Sequence, residues 1–123
     1  MAITKFEDLL AWQKAQDIAV LTYANFKSNN DYGFRDQICR TAVSISNNIA
    51  EGFDRKGKKE FIQFLYIAVS SASEVKSMIY LAHRLEYVDQ ITKEEFLITI
   101  DEAKKLTYGL IRSVRRFDSN EKN

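Results

Sequence analysis

Apolar residues recur along this chain at alternating intervals of three and four, the repeat that lines side chains along one face of an α-helix. The repeat runs from Ile38 through Ala42 and Ile45 to Ile49, and from Phe61 through Leu65, Ala68, Ala72, Val75 and Ile79 to Ala82. It returns in Phe96, Ile100, Ala103, Thr107, Leu110, Val114 and Phe117. An earlier stripe of Leu9, Trp12, Ala19, Tyr23 and Phe26 is widened by Ala15, Ile18 and Thr22. Such four-three stepping is the seam of packed helices. It predicts four helices, over residues 6–28, 34–54, 58–86 and 92–118.

The breaks between these stripes are short. Lys27 to Asp31 is rich in Ser and Asn, which bond locally to the backbone and compete with the helix. Gly52 to Gly57 is the second bend and Glu86 to Gln90 the third. Thr4 with Glu7, and Thr92 with Glu95, have capping-box spacing and predict the starts of the first and fourth helices. Gly109, inside the last stripe, costs about 1 kcal/mol relative to Ala and predicts a close packing contact. The tail from Asp118 to Asn123 is polar and expected to fray. Short loops between four helices predict an all-α fold, an up-down-up-down antiparallel four-helix bundle in one domain spanning 1–123.

The third helix carries more apolar surface than one bundle needs. Beside its main seam lie Ile62, Tyr66, Val69, Ser73 and Tyr80, and on a third side Phe64, Ile67, Met78, Leu81 and Leu85. A helix apolar around most of its circumference is buried on more than one face. Self-association is therefore expected.

Composition supports the same architecture. The chain has 123 residues with no proline and four glycines, little punctuation for a β or α/β fold. Its 46% hydrophobic and 28% charged residues are those of a folded domain. Eighteen Lys and Arg against seventeen Asp and Glu leave a net charge of +1, so no overall field draws it to a polyanion. The lone Cys39 excludes an internal disulfide and reads as a small buried hydrophobe in a reducing compartment. Nothing in the N-terminal residues has the form of a signal peptide, and no apolar run is long enough to span a membrane. A cytoplasmic location is expected.

Candidate chemistry is sparse. Arg55, Lys56, Lys58 and Lys59 are the densest positive charge, placed to contact phosphates or an acidic surface at the start of a helix. The plainer reading is a solvated turn. Arg112, Arg115 and Arg116 form a second cluster, read as favouring the negative end of the fourth helix. Asn48 and Glu51 flank Ile49 and, with Arg40 or a lysine from the following turn, suggest a polar network fixing the junction of helices two and three. Glu51 has no nucleophile, second carboxylate or histidine near it in sequence to make it a general base. His83 is the single histidine, which argues against a metal site, and no arginine precedes it at the spacing of helical ribonucleases. Trp12 and the tyrosines read as core or interface. No phosphate-binding glycine loop is present, and no cofactor is expected.

Several stretches resemble a known family. The run Phe6 to Ala15, then Ala42 to Ile45, Asn48-Ile49-Ala50-Glu51-Gly52-Phe53 and Lys59-Glu60-Phe61 are similar to the bacterial "four helix bundle protein" family, whose founding members are encoded in intervening sequences of the 23S ribosomal RNA gene. The resemblance covers about Phe6 to Phe117. It implies a bundle that assembles into a ring, usually a homopentamer. A related branch serves as the accessory protein of diversity-generating retroelements, where a basic pentameric barrel associates with a reverse transcriptase and nucleic acid. No biochemical activity is established for most members. This chain carries Ser46 where many relatives have proline, Cys39-Arg40 where an arginine pair is common, and Ser70 at a common glycine. The resulting expectation is a non-enzymatic, self-assembling binding or scaffold module for RNA, DNA or a nucleic-acid-handling protein; the alternative is a protein-interaction ring without nucleic-acid affinity.

Overall fold

A computed structural model describes residues 3–122, with side chains described as far as Arg116. The fold is an all-α, up-down-up-down four-helix bundle, with helices α1 (Leu10–Phe26), α2 (Tyr32–Phe53), α3 (Lys58–Arg84) and α4 (Gln90–Lys122). Each helix packs against its sequence neighbours, and α4 closes the square against α1. Short connections force antiparallel neighbours. Phe117 and the side chains of the tail lie outside the described residues.

The core follows the predicted seams on α2 and α3 throughout. Ile38, Ala42, Ile45 and Ile49 of α2 and all seven seam residues of α3, Phe61 to Ala82, are buried. On α4 the seam holds from Phe96 to Thr107, but Ile111 then replaces Leu110 at the centre. A straight helix drifts against a strict heptad, and one position of drift accounts for the exchange. On α1 the buried line is Ala11, Ala15, Ile18, Thr22 and Phe26. The expected line through Trp12, Ala19 and Tyr23 lies on its flank, and Tyr23 is 48% exposed. Thr22 is tolerated inside because its Oγ1 donates to the Ile18 carbonyl at 2.7 Å, and Thr107 does the same to Ala103. A buried hydroxyl satisfied in this way carries no unpaired polar group into the core.

Helix ends depart from the sequence expectations in informative ways. Neither capping box forms. Residues Phe6–Asp8 make a 3-10 turn, Leu9 is extended, and α1 begins only at Leu10. Hydrophobic docking overrides the cap here, since Leu9 is buried and the Phe6 ring meets Trp12 edge-on at 5.4 Å. At α4 the cap is Asp89, whose Oδ1 accepts from the Thr92 N–H at 2.8 Å. A capping carboxylate satisfies one of the free N–H groups of the first turn, and the helix starts at Gln90. At α2, Asp31 Oδ1 accepts from the Phe34 N–H. The other oxygen of Asp31 accepts from the Tyr87 hydroxyl at 2.8 Å, joining the α1–α2 and α3–α4 connections at one end of the bundle.

Two glycines exchange their predicted meanings. A Cβ on Gly109 would meet nothing nearer than the Arg112 guanidinium at 3.7 Å, so no close packing explains it. A Cβ on Gly52 would fall 2.5 Å from Cβ of Phe64. Gly52 therefore lets α2 approach α3 closely, just before the turn between them. The helix α2 runs unbroken through Ser46, from Tyr32 to Phe53. Ser46 is fully buried and accepts a 2.8 Å hydrogen bond from Gln16 Nε2 of α1.

Candidate functional site

The α2–α3 turn separates its four basic residues into two kinds. Arg55 folds back along its own helix, donating to Glu51 Oε1 at 2.8 Å with its guanidinium 5.1 Å from the Phe64 ring centroid. Lys58 is half-buried and its Nζ is shielded from water. Lys56 and Lys59 are exposed. The turn thus offers three exposed cations where the sequence suggested four, and one of them, Arg55, is paired with Glu51.

In place of the expected lock between α2 and α3, Asn48 and Glu51 bond within α2 and to the turn that follows it. Asn48 Nδ2 donates to the Ser44 carbonyl one turn back at 2.7 Å, Glu51 holds Arg55, and Arg40 is exposed. No hydrogen bond joins Arg40, Asn48 and Glu51 to one another among the described residues. All three instead line an open groove of about 690 Å³ along the outer face of α2, with Tyr23 and Lys27 of α1 on its rim. They share that face because their spacing turns them away from the core seam. Gly52 and Phe64 meet closely beside the α2–α3 junction, and midway along the two helices Thr41 Oγ1 lies 2.8 Å from Glu74 Oε2. An apolar helix end meeting Phe61 and Phe64 was the sequence signal for Gly52, but its position after the seam residue Ile49 disguised it as a terminator.

The same groove holds Cys39. Burial pushes its thiol above the ordinary value, so it is a poor nucleophile. Among the described residues no group of three or more His, Cys, Asp or Glu is placed to hold a metal ion. A second hollow, of about 520 Å³, surrounds His83, Arg84, Glu86, Tyr87 and Asp89 at the α3–α4 connection. There the Asp89 carboxyl is held below the usual carboxylate value, chiefly because the Thr92 backbone N–H donates to it, with His83 a lesser electrostatic influence. A hydrogen bond to the charged form favours that form. No described helix is long and apolar enough to cross a membrane.

The remaining feature is the shoulder of α3. Ile67, Leu81 and Leu85 are 49%, 46% and 45% exposed, with Phe64 and Met78 half-buried on the same flank. Their spacing, with Glu74 among them, continues the four-three stepping along a second line. On the opposite flank, Arg115 of α4 donates to the Tyr66 hydroxyl at 3.0 Å and stacks over its ring, tying α4 to α3. Because α4 continues to Lys122, the Arg112–Arg116 cluster lies inside the helix and not in its final turn.

An all-α bundle of four antiparallel helices is the class these features define. The chain matches the 23S rRNA-intervening sequence protein family over residues 7–109 and belongs to it. It is similar in structure to a protein of unknown function from the S23 ribosomal protein family of Bacteroides thetaiotaomicron. The two share 26% identity with a TM-score of 0.78, over 83% of this chain and 98% of that one. Comparison with curated proteins gives no match.

Proposed function

We propose that the protein is a non-enzymatic module that assembles with copies of itself, as a ring of five in the manner the family resemblance implies, and presents repeated basic surface to nucleic acid or to a protein that handles it. The observation that carries the reading is the α3 shoulder. Five apolar side chains, three of them nearly half exposed, lie on one line of a helix that is already buried on its core face. Exposed apolar side chains gathered on one flank, here on either side of Glu74, are characteristic of an interface. Repetition around a ring multiplies weak contacts, so that two outward lysines per copy, Lys56 and Lys59, act together.

Sedimentation velocity tests the assembly: a pentamer is expected at micromolar concentration, and a stable monomer overturns it. Fluorescence anisotropy with labelled RNA and DNA tests the partner. Binding is expected to weaken steeply with salt as phosphate contacts release counterions. A second reading, a protein-interaction ring without nucleic-acid affinity, is favoured by the internal use of Arg55 and Lys58. Absence of binding at low salt selects it.

A further inference from the structure

The most one-sided charge on the molecule lies away from the α2–α3 turn. From Lys104 to Arg116 the sequence is KKLTYGLIRSVRR, with five cations and no carboxylate between Glu102 and Asp118. Its positions Thr107, Ile111 and Val114 are buried, which turns the charged ones outward. Lys105, Arg112, Arg115 and Arg116 are exposed and Lys104 is half-buried. At about 100° per residue all five fall within about a third of the helix circumference, along a ridge about 18 Å long. Tyr108, 40% exposed, stands in the middle of it.

The neighbouring helix leaves this ridge unopposed. Arg115 marks where α3 runs alongside, through its bond to Tyr66, which is itself 40% exposed. Between Glu60 and Glu74 that stretch of α3 carries no acid. The two carboxylates just before the ridge are engaged, Asp101 by Lys76 at 2.9 Å and Glu102 by Lys14 at 3.1 Å. Among the described residues no ion pair involves Lys104, Lys105, Arg112 or Arg116. Because α3 and α4 are antiparallel, the ridge runs toward the end of the bundle that carries Lys56 and Lys59.

We infer that the α4 ridge is a binding track for single-stranded nucleic acid, with Lys105, Arg112 and Arg116 on phosphates and Tyr108 stacking a base. A row of cations without carboxylates fits a polyanionic backbone. A tyrosine ring set among the cations favours a single strand, whose unpaired bases offer their faces. The inference rests on the nucleic-acid reading above and gives it a location that this reading did not have. Arg115 positions the track, since its guanidinium is bound to Tyr66.

Anisotropy titrations of a labelled single-stranded oligoribonucleotide across a salt series, with a DNA strand of the same sequence and a duplex in parallel, test it. The variant K105Q/R112Q/R116Q is expected to lose about 2 from the slope of log K against log salt, at roughly 0.7 per phosphate contact on a single strand. R112K/R116K, which keeps the charge, is expected to retain that slope and controls for folding, along with the thermal melt of each variant. Tyr108→Ala is expected to weaken single-strand binding roughly tenfold, and Tyr108→Phe to leave it unchanged. If the wild type binds but K105Q/R112Q/R116Q binds equally well, the track is overturned while the nucleic-acid reading stands. Loss confined to K56Q/K59Q overturns the track in the same way. Duplex bound as tightly as single strand, with Tyr108→Ala silent, overturns the single-strand assignment. No binding by the wild type at low salt overturns both readings together.

Discussion

Glu86 ends α3 in the left-handed region, at φ 63°, which L side chains seldom occupy. Its N–H donates to the His83 carbonyl at 3.0 Å, and the next N–H, of Tyr87, donates to Ala82 at 2.8 Å. This is the Schellman arrangement with glutamate where glycine is usual. Glu86→Gly is expected to raise stability by about 1 kcal/mol, read as a higher urea midpoint. Gly52 is the reverse case. Gly52→Ala improves helix propensity by about 1 kcal/mol, yet sets a methyl 2.5 Å from Cβ of Phe64, an atom fixed to its backbone. Overpacking costs about 1–3 kcal/mol, so the expected outcome is a lower midpoint. Neither effect is written in residue type alone. The glutamate looks like any connecting residue, and the glycine looks like a terminator, until the backbone conformation and the neighbouring helix are known.

Among the elements, the connections carry the pH dependence. Asp89 caps α4, and donation from Thr92 holds its carboxyl below the usual value. A group depressed in the folded state contributes stability present above its unfolded value, about pH 4, and lost as pH falls through the folded one. Tyr87 has the opposite sense. Its bond to Asp31 raises the phenol above the usual value. That contribution is present below about pH 10 and is lost as pH rises through the folded value. Thermal melts across pH are expected to show Asp89→Ala removing part of the acid-side fall in midpoint. Tyr87→Phe removes part of the alkaline-side fall. The sequence placed the helices and the three connections because periodicity is a local property. It missed the caps because Thr92 and Thr4 compete with Asp89 and with the burial of Leu9, and only packing decides which wins.

For the whole molecule, the α3 shoulder is the surface on which the proposed assembly depends. Ile67→Asp/Leu81→Asp adds charge to a flank that is nearly half exposed in the single chain, so the bundle is expected to keep its helicity by circular dichroism. Sedimentation is expected to show the monomer, while a variant that still assembles would place the interface elsewhere. The chain by itself determined the all-α class, the seams of α2 and α3 and the surplus of apolar surface on the third helix. These follow from which residues repeat and how often, and no distant contact is needed to read them. The arrangement of side chains at the surface was decided only by tertiary structure. Arg55 was drawn back along α2 by Glu51, and Lys58 was taken into partial burial. Arg40, Asn48 and Glu51 came to line an outer groove because the α2 seam turned them outward. The arginines of α4 became a ridge because the helix continued past them and no carboxylate of α3 came opposite. A helical repeat fixes which face is buried; what stands on the remaining face, and beside what, depends on the neighbouring helix.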